Sequence, residues 1–563
     1  MDDNQSAMSL GSSQTRAIPL LEEPSDWCKG LLAHSEQSPS NHLHSGDHLE
    51  WLAEYLNRPF DRRLGSRLDR AVTHETDFVV AYQFLPDACT KETLWTPSDI
   101  NKLPGENEPH NQLLFMRGHP SPEWVNAIAS KFSVSAEFFF HHLELFSRRK
   151  DDQVWTWPAL KSQSTREPRL RLTTIGTMKK PGDAAHKDGH VHKIRKKVRS
   201  LFEDHLKDMR NEENVRIGTS LLRDVSIHDA KHFSLGQDVS MWTRQTSHGW
   251  FAIAWLDIGT ENIVQGPQGS FLRTPLGGDV EDTSFSPVIF RQEGQVALES
   301  SSSSTRSSLD SSTTTDGIRQ STEHLCHQYS DNIDPSLAYA DSFYALSNVF
   351  TCSAASQNQF LNMMQSIVKH DIRQATVYER DAPDHASLSN LFYNQMVLSD
   401  CVERLKENVA TIERRQAWPR SQLDTDWKRI ERKGAGLMDD YCGLLQKAQG
   451  LAEDCDRGIR NVEHLASHAE SKKAIAQAKG VERLTRLAFV FVPMSFTATF
   501  FGMNFKEVGQ GQLPIWVWFV VTVPICVVSL VLMISRLRHK ILGLAKAMCR
   551  TRRQPEHDVE RGR

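Results

Sequence analysis

The chain has 563 residues, 39% hydrophobic and 24% charged, an ordinary globular composition with room for two or three folded units. Its net charge of −4 excludes the broad basic bias that draws proteins to nucleic acid. Nine scattered cysteines include no C-x-x-C pair, so neither a zinc site nor a disulfide framework is indicated, which fits a reducing compartment.

The first thirty residues hold Asp2, Asp3, Glu22 and Glu23 and no long apolar core, unlike a secretory signal or a transit peptide. Residues 1–41 are Ser-rich and polar and are expected to lack structure. His48 to Arg67 carries Leu49, Leu52 and Leu56 at helical spacing. FVVAYQFL (78–85) and NQLLFM (111–116) read as buried strands. Ser121 and Pro122 then open a helix as cap and first-turn residue. A second helix follows over Ala136 to Phe146. Its His141 and His142 are adjacent, diverge on the helix, and suit a structural or solvent-facing role better than metal binding.

RLRLTTI (169–175) suits a half-exposed strand, and GWFAIAWLDI (249–258) a strand buried on both faces. Between them, Pro181 to Arg199 is a charged excursion, expected to be a solvated loop. Its His186, His190 and His192 form only a weak metal pattern, and KIRKKVR (193–199) could touch anionic lipid. Strands alternating with helices predict an α/β domain over 45–295. Residues 296–334 contain the low-complexity run SSSSSTRSSLDSSTTTD and read as an insertion or linker.

From 335 to 486 the pattern is helical, with Leu337 to Ile372 and Leu388 to Arg415 as candidates and a break at Trp418-Pro419. Ser421 could cap the next helix, with Asp424 at its third position. Leu437, Tyr441, Leu444, Ala448, Leu451, Cys455, Ile459, Val462, Ala466 and Ala469 make an apolar seam. If Asp424 to Met503 were one helix it would span roughly 120 Å at 1.5 Å per residue. A seam that long predicts bundling with other copies as a coiled coil.

LAFVFVPMSFTATFFGMN (487–504) carries no ionisable side chain, and neither does Leu513 to Ile534. A bilayer-spanning helix needs about 20 apolar residues. Only helix satisfies its own backbone in an open-ended span. Residues 487–504 and 513–535 are therefore expected to be two transmembrane helices, joined by an outer loop over 505–512 and followed by a basic tail over 536–563. Lys472, Lys473, Lys479, Arg483 and Arg486 precede the first span, and Arg536, Arg538, Lys540, Lys546 and Arg550 follow the second. The positive-inside rule places both termini in the cytoplasm, in the plasma membrane or an internal one.

Ser495 and Thr499 share a face with Val481, Leu484, Ala488, Val492 and Gly502. Such a stripe serves close helix packing in lipid or the wall of a pore whose apolar end gates by dewetting. No G-x-S-x-G, phosphate loop or H-E-x-x-H occurs, so no enzyme is expected.

Gly502-Met503-Asn504, closing the first of two C-terminal apolar runs behind a long polar region and preceded by Pro493, resembles the signature of the CorA-type magnesium channel family, most like its divergent fungal members. The resemblance implies an α+β membrane protein with a cytoplasmic α/β domain, a long helical stalk and two transmembrane helices. It also implies a homopentamer whose pore is lined by the first helix. The expected cargo is Mg²⁺, which could also regulate the channel. Mg²⁺ gives up its water reluctantly. A ring of Asn504 amides with the helix C-termini, each about half a negative charge, would suit a hydrated cation. The loop FKEVGQGQLP departs from the family's Met-Pro-Glu, with Glu507 its only acid. Another divalent cation such as Zn²⁺, or a membrane-anchored scaffold that transports nothing, remain alternatives.

Overall fold

The computed structural model describes residues 24–60, 78–105, 111–146, 160, 167–178, 190–210, 218–259, 283–289, 322, 325–377, 385–421, 425–502 and 514–531. The chain divides into two units: residues 1–378 with 384–461, and residues 379–383 with 462–563.

The first unit is built on an eight-stranded mixed sheet. Its strands are β1 (Val79–Phe84), β2 (Cys89–Leu94), β3 (Asn111–Arg117), β4 (Arg169–Met178), β5 (Asp224–Ile227), β6 (His232–Gln245), β7 (Trp250–Leu256) and β8 (Thr283–Ser286). The order is β2-β1-β3-β7-β6-β4-β8, with β5 also on β6. Every pair is antiparallel except β3 and β7, which run parallel from Asn111 opposite Trp250 to Arg117 opposite Leu256.

Alternation along the strands feeds two apolar layers. Val79, Ala81, Leu114, Met116, Ile253 and Trp255 face the N-terminal helices α1 (Asp26–Ser35), α2 (Glu50–Asn57), α3 (Pro122–Phe132) and α4 (Ala136–Leu143). Val80, Tyr82, Leu113, Phe115, Ala252 and Ala254 face the C-terminal helices. Between them, β7 has all seven side chains buried, as its unbroken apolar run requires. Ser121 caps α3 by accepting from Trp124 N, with Pro122 in the first turn.

The helix α5 (His190–Arg210) replaces the loop expected over the charged excursion. Val198 is buried, and Val191, Ile194 and Phe202 pack around it. Lys193, Lys196, Lys197 and Arg199 are exposed, while Arg195 turns inward to Ile227 O and His228 O.

Helices α6 (Pro335–Ala340), α7 (Ser342–Val377), α8 (His385–Glu413) and the first part of α9 (Trp427–Gly502) cover the second face of the sheet. The strand β4 is bare of β8 beyond Ile175. There Ser356 Oγ accepts from Thr173 N (2.6 Å) and donates to Thr173 O (3.0 Å). Ser353 Oγ and Gln357 Nε2 both donate to Arg171 O (2.9 and 3.1 Å). Helix side chains thus occupy an edge that would otherwise recruit another strand.

Four expectations are corrected. A helix, α1, lies inside the stretch expected to be structureless, capped by Ser25 and pinned where Trp27 Nε1 donates to Val134 O (3.2 Å). The end of the expected linker is core: Cys326 and Tyr329 are buried, and Tyr82 Oη donates to Cys326 O (2.8 Å). Ser421 does not cap α9, which begins at Trp427. Ser421 is tied instead to α6, donating from N to Ala340 O and from Oγ to Tyr339 O (both 2.9 Å). Finally, the seam from Leu437 to Ile459 is buried against the chain's own sheet and helices, so it is no argument for bundling with other copies.

Candidate ion pathway

The second unit holds the C-terminal half of α9 and a shorter apolar helix, α10 (Trp516–Val531). By length and composition, the helix beginning at Trp427 is long and apolar enough to cross a membrane. Pro493 stands inside it and leaves the Phe489 carbonyl without its usual donor. The helix is described as far as Gly502. Met503, Asn504 and Glu507 lie outside the described residues.

All six residues of the expected pore face are exposed in the single chain: Val481, Leu484, Ala488, Val492, Ser495 and Thr499. Two of them carry hydroxyls that are satisfied within the helix. Ser495 Oγ donates to Val492 O (3.1 Å), and Thr499 Oγ1 donates to Ser495 O (2.8 Å). Each hydroxyl has one proton, so what remains to offer outward is oxygen lone pairs. Lone pairs accept from the water protons around a hydrated cation, with no full charge to trap the ion.

Thr497 has the opposite fate. It is 3% exposed, and its Oγ1 accepts from Thr522 Oγ1 of α10 at 2.9 Å while donating to Met494 O (3.0 Å). Cys526 Sγ lies 4.0 Å from Val490 O on the same side. The two apolar helices therefore meet through a hydroxyl pair, and that contact leaves the Ser495–Thr499 face uncovered. Neither Thr497 nor Thr522 belongs to the face that spacing alone picks out. The single threonine of the second apolar run, Thr522, was the available signal.

Below the apolar stretch the helix surface is charged. Arg486 pairs with Glu482 one turn earlier, and Arg483 is exposed.

The sheet unit holds a buried ion network. Arg223 forks onto Asp257 (Nε–Oδ2 2.6 Å, Nη2–Oδ1 2.8 Å) and reaches Asp238 at 3.3 Å. Arg171 Nε holds Asp238 Oδ1 at 2.5 Å. The two arginines hold the Asp238 carboxyl below its ordinary range, against the opposing effect of burial. His142 is fully buried, stacked on Trp255 at 3.9 Å, with Nδ1 2.8 Å from Ser240 Oγ. Burial, with Arg223 and Arg169 nearby, pushes it far below the usual histidine range and keeps it neutral. This is scaffold chemistry: both carboxylates are held by arginine, though Arg223 Nη1 and His142 Nε2 are buried without a hydrogen-bond partner. No group of three or more metal-ligating side chains occurs among the described residues.

The described residues thus combine a mixed α/β unit with a helix long and apolar enough to cross a membrane. Residues 388–539 match the family model described as CorA-like Mg2+ transporter protein, which supports the CorA-type resemblance over that segment. No curated protein matches the chain.

Proposed function

We propose that copies of this chain assemble into a membrane channel that passes hydrated divalent cations, Mg²⁺ first among them. Both apolar helices span the bilayer in this reading, with the termini in the cytoplasm and five copies around the pore, as the resemblance implies. The Val481, Leu484, Ala488, Val492, Ser495 and Thr499 face lines the path, and Gly502, Met503 and Asn504 form its outer mouth with Glu507 close by. One observation carries the reading. Within the family-matched segment, α10 covers the Thr497 side of the first apolar helix and leaves the Ser495–Thr499 side free. A wall that must face water is the side a partner helix should leave bare.

The test is reconstitution of the full chain in liposomes holding a magnesium-sensitive dye, in parallel with Asn504→Ala. Dye response in the wild type that is abolished in the variant is the expected result. Equal flux in both, or no flux from an intact oligomer, would leave the hairpin as an anchor only. Entry of Zn²⁺ but not Mg²⁺ would reassign the cargo and point to the sparse acids of the loop.

A further inference from the structure

The second half of α7 carries a buried carboxyl that the transport reading does not use. Asp371 is 4% exposed. Its Oδ1 lies 3.5 Å from Nδ1 of His370, a largely exposed neighbour on the same helix, and its Oδ2 is buried with no hydrogen-bond partner. A buried, half-satisfied carboxylate is costly, and it is the group most easily relieved by a proton.

The elements around it are named by their charges. From α5 comes Arg195, whose Nε and Nη2 donate to Ile227 O and His228 O (2.8 and 2.9 Å) while its guanidinium lies 4.0 Å over the Tyr393 ring of α8. From the β5–β6 turn comes Asp229, already accepting from His232 Nδ1 and from the Lys231 and His232 amides. The neighbouring His228 is buried, bonded to Asn394 and Ser234, and pushed down to about 4, hence neutral. From α9 come the buried thiol of Cys455, which feels the Asp371 charge, and Asp454 beside it. One turn further along α9 stands Gly458. A Cβ on Gly458 would lie 2.8 Å from Ile372 and 3.2 Å from Leu391. Asp371 therefore adjoins Ile372, one of the two side chains, from α7 and α8, that close on Gly458 of α9.

We propose that Asp371 is a proton-operated latch: protonated, it lets α7 hold α9 at Gly458; ionised, it loosens that hold and so regulates the conduction assigned above. The regulatory part rests on the channel reading; the latch itself does not. The cation that an ionised Asp371 would draw on is Arg195, which is already engaged with Ile227 O, His228 O and the Tyr393 ring. Desolvation, with Asp229 adding to it, raises Asp371 to about 7. The sign follows: the folded state binds the extra proton, so the junction is strongest at low pH and is lost progressively as pH rises from about 4 toward 7. If the carboxyl titrates near 4 once opened to water, the opening constant rises about tenfold between pH 6 and pH 8.

The experiment is hydrogen exchange on the full chain in detergent, corrected for intrinsic rates, at pH 6 and pH 8. Peptides covering 366–377 and 451–462 should lose about tenfold protection at pH 8 in the wild type. Asp371→Asn should hold constant protection, and Asp371→Glu should restore the pH dependence; Asp371→Ser replaces the Asn variant if that one misfolds. Identical pH profiles in wild type and Asn variant would overturn the latch. Flux in liposomes is read alongside and should differ between the two pH values only where the carboxyl is present. Flux that is equally pH-sensitive without the carboxyl counts against the latch. Absence of flux from all proteins, with the exchange difference intact, would remove the channel reading and leave the latch standing.

Discussion

Thr497→Val and Thr522→Val together test how the apolar helices are arranged. Both substitutions keep the side-chain shape and delete a hydroxyl. In the wild type, Thr522 donates across to Thr497, whose own proton goes to Met494 O. Losing Thr522 leaves Thr497 still bonded to its helix. Losing Thr497 frees a Thr522 proton that can turn to a carbonyl of its own helix. The pair should therefore couple weakly, by about 0.6 kcal/mol and no more than about 1.7 kcal/mol. A double-mutant cycle in reversible SDS unfolding of the full chain in mixed micelles reads that coupling. The functional half is sharper. Thr497 faces α10, so Thr497→Val should leave cation flux near the wild-type level. Ser495→Val and Thr499→Val, on the exposed face, should cut it. Zero coupling, together with flux lost at Thr497 and kept at Ser495 and Thr499, would refute the assignment of faces.

Two further expectations concern the first unit. Arg223→Met strands Asp257 in the core and leaves Asp238 to Arg171 alone, and it should cost about 3–5 kcal/mol in chemical denaturation, a large part of a typical domain's stability; the Asp238 contribution in the wild type is fully present above about pH 4 and lost as pH falls below it, because its folded-state value is depressed. On α9, Gly436, Gly443 and Gly450 have nothing within 4 Å of an added Cβ, so Gly443→Ala should raise stability by about 1 kcal/mol through helix propensity alone. A lower melting temperature for Gly443→Ala would mean that another copy covers that face in the assembly.

Much of this architecture was legible wherever one physical signal dominated. The apolar run of β7 could only be a doubly buried strand, and Ser121-Pro122 could only open a helix. What hid was what mixed signals. The strand β6 interrupts its pattern with Ser234, Gln237, Asp238 and Ser240, all buried, because their partners arrive from distant segments. In α5 the apolar positions Val191, Ile194, Val198 and Phe202 have helical spacing, but the basic residues between them read as a loop. The seam of α9 was visible, yet nothing local told whether its cover came from this chain or another. On the candidate pathway, the hydroxyl face could be drawn from spacing alone. Which threonine met α10 could not, since Thr497 and Thr499 differ in company and not in chemistry.

The parallel contact of β3 with β7 sets a timetable for synthesis. Asn111 and Trp250, bonded through Trp250 N and Asn111 Oδ1, are 139 positions apart. A growing polypeptide must therefore carry β1, β2 and β3 as an incomplete ribbon until the later strand leaves the ribosome, and long-range pairings of that kind close slowly. Through that interval Leu113 and Phe115 are without their cover, an opening for chaperones and for misassembly alike. The apolar helices follow every strand in the chain, so the sheet has its chance to close before they are made.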